Sequence, residues 1–156
     1  FEKDVIMVYG LKLAKGLNPS GKTGKLIPYV RLRSKLAYQD LSRYASYFSK
    51  NWKIKESLFL ASKSVKKEFL MAFFDDEGSV IKQGHKGIIR LYSINLSGLK
   101  QIQRMLIEFN IDSKIGSGYG SRRNVYALII TDLKKFHVNL GFNLNRKQKK
   151  MEELMV

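Results

Sequence analysis

An α+β fold built from two helix, hairpin, helix repeats is what this 156-residue sequence predicts, and three observations point to it. "YVRLRS" at 29–34 and "IIRLYS" at 88–93 share an apolar-Arg-Leu-x-Ser core with the alternation of a strand. Each follows an apolar, helix-like run that closes on glycine, "VIMVYGLKLAKG" in the first case and "EFLMAFFDDEG" in the second. Each precedes an amphipathic segment: Leu41, Tyr44 and Phe48 in the first copy, and Leu99, Ile102, Leu106 and Phe109 in the second, fall at helical spacing.

The elements after the second copy follow the same logic. "KIGSGYG" and "RRNVYALII" form a Gly-rich strand pair with its turn near Gly120 and Ser121. "TDLKKFHVNLG" opens on a Thr/Asp cap and ends at Gly141, as a short helix does. "NRKQKKMEELMV" is a charged final helix. In the first copy the second hairpin is compressed into "WKIKESLFLAS" and a closing helix is missing, so the first repeat, 1–64, is a shortened version of the second, 65–156.

Charge restricts the partners. Lys and Arg number 29 against 13 Asp and Glu, a net charge of +16, spread over both halves of a sequence that is 44% hydrophobic and 12% aromatic. Such a field attracts polyanions, nucleic acid above all, and belongs to a folded surface rather than a basic tail. The alternative is a lysine-rich surface that only keeps the protein in solution. With no cysteine and two distant histidines, His85 and His137, a zinc site has no ligands. Any metal is a hard cation held by carboxylates. No apolar stretch is long enough to cross a bilayer and no secretory pattern opens the chain, so no membrane partner is expected, and the expected location is cytoplasmic or organellar, in mitochondrion or chloroplast. The chain opens on Phe1, so a preceding segment is expected.

"GLNPSGKT" at 16–23 spells a phosphate-binding loop. Such a loop needs a strand before it and a helix starting at its Lys-Thr, so that backbone N–H groups face the phosphates. Here Gly24 and Pro28 oppose a helix and Val30-Arg31-Leu32-Arg33 alternates as a strand. The stretch is a basic hairpin connection, and nucleotide hydrolysis is set aside.

"LMAFFDDEG" at 70–78 resembles the LAGLIDADG motif of homing endonucleases and their maturase relatives. Leu70 matches, Ala72 keeps a small residue where the family has Gly, Phe73 and Phe74 are apolar, Asp75 matches the first acid, Glu77 stands for the second and Gly78 closes the motif. The downstream order of hairpin, helix, hairpin, helix and a Lys-Gln-Lys stretch, "FNLNRKQKKMEEL", agrees with the family.

The resemblance implies two αββαββα repeats forming antiparallel, saddle-shaped sheets. Two motif helices pack through small residues, Gly10 and Ala72, and bring their last acids together to hold Mg²⁺. Glu77 is then the metal-binding catalytic acid, and Lys147 the lysine that polarises the scissile phosphate or a water. Arg31, Arg33, Gln83, Lys86, Arg90, Lys114, Arg122 and Arg123 become nucleic-acid contacts, those on the hairpins entering a groove or meeting phosphates. If 8–16, "VYGLKLAKG", is the first motif, Lys15 replaces the first acid. A lysine cannot hold Mg²⁺, and pairs instead with Glu77 or a phosphate. Two functions follow: a Mg²⁺-dependent, site-specific DNA endonuclease or nickase, or a cofactor-free RNA binder, maturase-like or part of a ribonucleoprotein such as a ribosome. The first works as a monomer with internal pseudo-symmetry or as a homodimer that pairs Glu77 with its copy.

Overall fold

The computed structural model describes residues 2–20, 24–46, 50–119, 121 and 124–155. Two compact units divide the chain, Phe1–Arg43 and Tyr44–Val156. The division falls ahead of the repeat boundary expected at 64/65, because residues 44–64 fold with the second unit.

In the first unit, helix α1 (Glu2–Tyr9) is followed by strands β1 (Ala14–Pro19) and β2 (Leu26–Arg31) and by helix α2 (Lys35–Leu41). The first motif helix expected over 8–16 is corrected here. Gly10 has φ +65°, which ends α1, and its N–H donates to the Ile6 carbonyl at 2.8 Å. Gly10 therefore terminates the helix, where the resemblance placed it within a packing face. Lys15 lies on β1 and its ammonium pairs with Glu2 at 2.5 Å. β1 and β2 pair antiparallel from Ala14↔Arg31 to Pro19↔Leu26, so the "GLNPSGKT" stretch leads through a hairpin and no helix follows its lysine; Gly21, Lys22 and Thr23 lie outside the described residues. Ser34 caps α2 by accepting from the Ala37 N–H at 3.1 Å. Tyr44 falls past the end of α2, and Phe48 is outside the described residues.

The second unit opens with strands β3 (Ala45–Ser46) and β4 (Lys53–Ile54) and the one-turn helix α3 (Glu56–Phe59). These complete an αββαββα order for the first copy, so the closing helix expected to be missing is present as a single turn. Three contacts fasten the segment to the second repeat. The Gln101 side chain accepts from the Ile54 N–H at 2.9 Å and donates to its carbonyl at 2.8 Å, acting as a missing strand partner. Asn95 donates to the Trp52 carbonyl at 2.7 Å. The Trp52 ring lies where a side chain on Gly98 would stand, 2.5 Å from the place of its Cβ, so glycine is required for this approach.

The second copy runs α4 (Lys63–Glu77), β5 (Gly78–Gln83), β6 (Lys86–Ser93), α5 (Leu96–Ile107), β7 (Lys114–Tyr119), β8 (Val125–Ile130), α6 (Leu133–Asn139) and α7 (Asn145–Glu153). Ser62 caps α4 and Asn95 caps α5 through their side-chain oxygens. On α5, Leu99, Ile102 and Leu106 are fully buried, as their spacing predicts. Each such side chain contributes about 1.5–3 kcal/mol on burial. Asp132 caps α6, accepting from the Lys135 N–H at 2.9 Å, and Gly141 at φ +75° follows it.

The strands form one antiparallel sheet in the order β5-β6-β8-β7. Val80, Ile89, Leu91, Leu128 and Ile130 join the core with Leu70 and Phe74 of α4 and the α5 stripe. Strand periodicity sends the alternate residues to the opposite face. Ser79, Arg90, Ile129 and Lys114 are cross-strand neighbours in one row of that face.

Candidate functional site

The three acids at the end of α4 take separate tasks. Asp75 accepts from the Asn143 and Leu144 N–H groups, both at 3.2 Å, at the entrance to α7. Its negative charge suits a helix N-terminus. In return Lys147, from the first turn of α7, is 9% exposed and donates to the carbonyls of Phe74 at 3.1 Å, Asp75 at 2.6 Å and Gly78. An ammonium has three protons, and three carbonyls accept here. Burial holds the Lys147 pKa below its ordinary value and Arg146 adds to this, while Asp75, Asp76 and Glu77 pull it back up. A contact with phosphate or water, the role the resemblance implied for Lys147, requires giving up one of these carbonyls.

Glu77 and Asp76 reach the opposite side of the helix end. They line a groove of about 600 Å³ with Trp52, Phe69, Ala72 and Phe73. Phe69, Ala72, Phe73 and Asp76 stand at i, i+3, i+4 and i+7, one face of α4, and Ala72 is exposed there. The small residue thus lies on a face that a second helix could approach. Glu77 is the last residue of α4, and among the described residues its carboxylate has no hydrogen bond or ion pair.

Within the second unit, these donors supply part of a Mg²⁺ site. The ion takes hard oxygen ligands in octahedral array, and Asp76 and Glu77 are of the right type. Asp75, however, is committed to α7. In the first copy the residue before the closing glycine is Tyr9, whose hydroxyl donates to Asp40 at 2.8 Å. Among the described residues no three His, Cys, Asp or Glu side chains gather as a metal cluster.

The open sheet face carries a second constellation. The Arg90 guanidinium donates from Nη1 to the Tyr92 hydroxyl at 2.8 Å and from Nη2 to Gln83 Oε1 at 3.0 Å. Its Cζ lies 5.6 Å from the Tyr92 ring centre and 5.7 Å from that of Tyr119. Those two rings meet edge to face at 5.5 Å. A register shift in β7 between Gly116 and Tyr119, with Gly118 at φ +85°, turns the strand end that carries Tyr119.

Gln83, Lys86, Arg90 and Lys114 are thus gathered on one face, by register and by direct contact. Arg31 ends β2 in the other unit, its guanidinium 5.1 Å from the Tyr29 ring centre, and Arg33 follows the strand. Arg122 and Arg123 lie outside the described residues. Sequence reasoning missed Tyr92 and Tyr119. The signal for Tyr92 was available, since it stands two residues from Arg90 on one strand; the Tyr119 position depends on the bulge. His137 Nδ1 meets Gln148 Nε2 at 2.7 Å, and His85 sits in the exposed β5–β6 turn.

Residues 64–140 match the family model of the LAGLIDADG-like domain. Among solved structures, the I-DmoI complex with DNA and Ca superposes with a TM-score of 0.62 at 20% identity, over 98% of this chain and 72% of that one. The I-DmoI complex with DNA and Mn gives 0.61 at 19% identity, over 88% and 68%. The N-terminal LAGLIDADG domain of DUF199/WhiA gives 0.54 at 15% identity, over 97% and 68%. No curated protein matches the chain. The motif at the end of α4, the sheet order and these matches agree: residues 64–140 are a LAGLIDADG-like domain, and the fold is the one those LAGLIDADG structures share.

Proposed function

We propose that this protein binds duplex DNA at specific sites, laying the open face of β5-β6-β8-β7 in the major groove. The observation that carries the reading is the gathering of Gln83, Lys86, Arg90 and Lys114 on one face of a twisted antiparallel sheet, in a chain of net charge +16. A two-stranded ribbon or sheet edge fits the major groove, where base edges present distinct donors and acceptors. Lys86 and Lys114 supply phosphate attraction, and the excess positive charge supplies the salt-dependent part of affinity. The I-DmoI structures with this fold are DNA complexes, which supports the same class of partner here.

Cleavage is not part of this reading, which rests on the sheet face alone. A second reading draws on the groove beside Ala72. A second copy of the chain, packing its own α4 there, would bring another Glu77 and restore a pair of acids for a Mg²⁺-dependent endonuclease. Incubating supercoiled plasmid libraries with the protein and Mg²⁺, beside Glu77→Gln, separates the two. The binding reading expects intact plasmid in both; nicking or linearisation that Glu77→Gln abolishes establishes the second. The choice of DNA is tested by fluorescence anisotropy with duplex DNA, duplex RNA and single-stranded RNA at matched salt. Tighter binding to either RNA would transfer the function to an RNA partner, maturase-like or within a ribonucleoprotein.

A further inference from the structure

We infer that Arg90 is a guanine-reading residue, and that Gln83, Tyr92 and Tyr119 exist on this face to hold its guanidinium ready. The inference rests on the duplex-binding reading above and adds a base and a residue to it.

An arginine that only neutralises a phosphate gains little from being fixed in advance, and on an open sheet its long side chain ordinarily keeps its rotamer freedom. The Arg90 guanidinium is held by its own neighbours. One N–H of Nη1 is on the Tyr92 hydroxyl, one of Nη2 is on Gln83 Oε1, and rings pack around the planar group. Its Nε is buried without a partner. An orphaned buried donor costs free energy, and here it marks which edge of the guanidinium faces inward. Nη1 and Nη2 each donate one N–H within the face and each retain a second. Two parallel donors at that spacing match the O6 and N7 acceptors of guanine in the major groove. Cytosine and adenine offer an amino donor on that edge, which would meet these N–H groups donor to donor.

The neighbours divide the labour. Lys86 and Lys114, flexible point charges on the same face, have the character of phosphate contacts. Gln83 is committed by its oxygen to Arg90, so it acts as a positioning residue. Tyr92, 44% exposed, packs its ring near the guanidinium and accepts a hydrogen bond from Nη1.

The test is selection of binding sites from a randomised duplex library, run in parallel on the unaltered chain, Arg90→Lys and Tyr92→Phe. The unaltered chain should enrich a site with at least one dominant guanine. Arg90→Lys keeps the charge but not the planar fork. It should flatten that position and weaken binding to the selected site by about 5- to 150-fold, the range of one good bidentate contact. Binding to random duplex, and its salt slope, should stay as they were. Tyr92→Phe keeps the ring and removes the acceptor, so it should reduce the guanine preference by a smaller factor. An unchanged guanine preference in Arg90→Lys overturns the inference and leaves duplex binding intact. A uniform loss across all sequences with a shallower salt slope assigns Arg90 to phosphate and overturns it equally. No duplex binding by the unaltered chain overturns the functional reading and this one together.

Discussion

Asp75 and Lys147 cap each other's helices: the carboxylate accepts the N–H groups entering α7, and the ammonium accepts its place among the last carbonyls of α4 by donating to Phe74, Asp75 and Gly78. Each charge lies at the helix end that favours it. The motif that names the family thus ends in a joint between its own helix and the last helix of the fold. Glu77, one turn-edge away, inherits its position from that joint.

Loss of either partner should therefore loosen the same joint. Lys147→Met takes the ammonium away from three carbonyls, of which that of Phe74 keeps the Gly78 N–H; a buried carbonyl left without any donor costs about 1–3 kcal/mol. Asp75→Ala should cost about 0.5–2 kcal/mol, as caps do. Urea unfolding of both single variants and the double variant should give a coupling of about 0.5–3 kcal/mol, the double losing less than the sum. Strict additivity would show that the two caps act separately.

The lowered pKa of Lys147 predicts a direction with pH. Below that value the lysine is charged in folded and unfolded chains alike, and the full burial penalty is present. As pH rises through the lowered folded value towards the ordinary one, the folded protein releases its proton first, so the contribution of this group to stability rises over that alkaline interval. Compared with Lys147→Met, the unaltered protein should gain stability there. An unfolding series across that range in which the two run parallel contradicts the assignment.

Gly78 is fixed by a close approach. A Cβ there would stand 2.6 Å from the Phe74 carbonyl oxygen, a backbone atom that cannot swing away. Gly78→Ala should destabilise the domain by about 1–3 kcal/mol, the range for overpacking. Thermal unfolding that matches the unaltered chain would mean that the helix end can shift freely.

Gln101 should control a local opening. Gln101→Leu leaves both backbone groups of Ile54 without the partners they now have, so the segment 44–59 should exchange amide hydrogens faster while α5 keeps its protection. Equal acceleration throughout the second unit would show that the segment unfolds only with the whole.

The second copy was legible because local and tertiary signals agree there. Leu99, Ile102 and Leu106 follow helical spacing and are buried; Asp132 and Gly141 bound α6 as their types require. The first motif was misplaced because "VYGLKLAKG" reads as helix-like, whereas a single residue, Gly10 at φ +65°, stops the helix two residues into it. The one-turn helix at 56–59 is too short to leave a periodic pattern. At the site, alternation along one strand put Arg90 on the open face, and cross-strand register then placed Lys114 in the same row, with Ile129 between them. The Asp75–Lys147 joint links residues 72 apart in sequence, and no local pattern announces which carbonyls a lysine will meet. The Lys-Gln-Lys stretch pointed to the right residue and left its partners open.

DNA binding by the open sheet face can be measured through its dependence on salt. Its most direct measurement is the salt dependence of duplex binding by the unaltered chain and by Lys86→Gln/Lys114→Gln. Removing two phosphate contacts should lower affinity and reduce the slope of log K against log salt by about 2, close to 0.9 per contact. An unchanged affinity and slope would place the DNA on another surface and contradict the account.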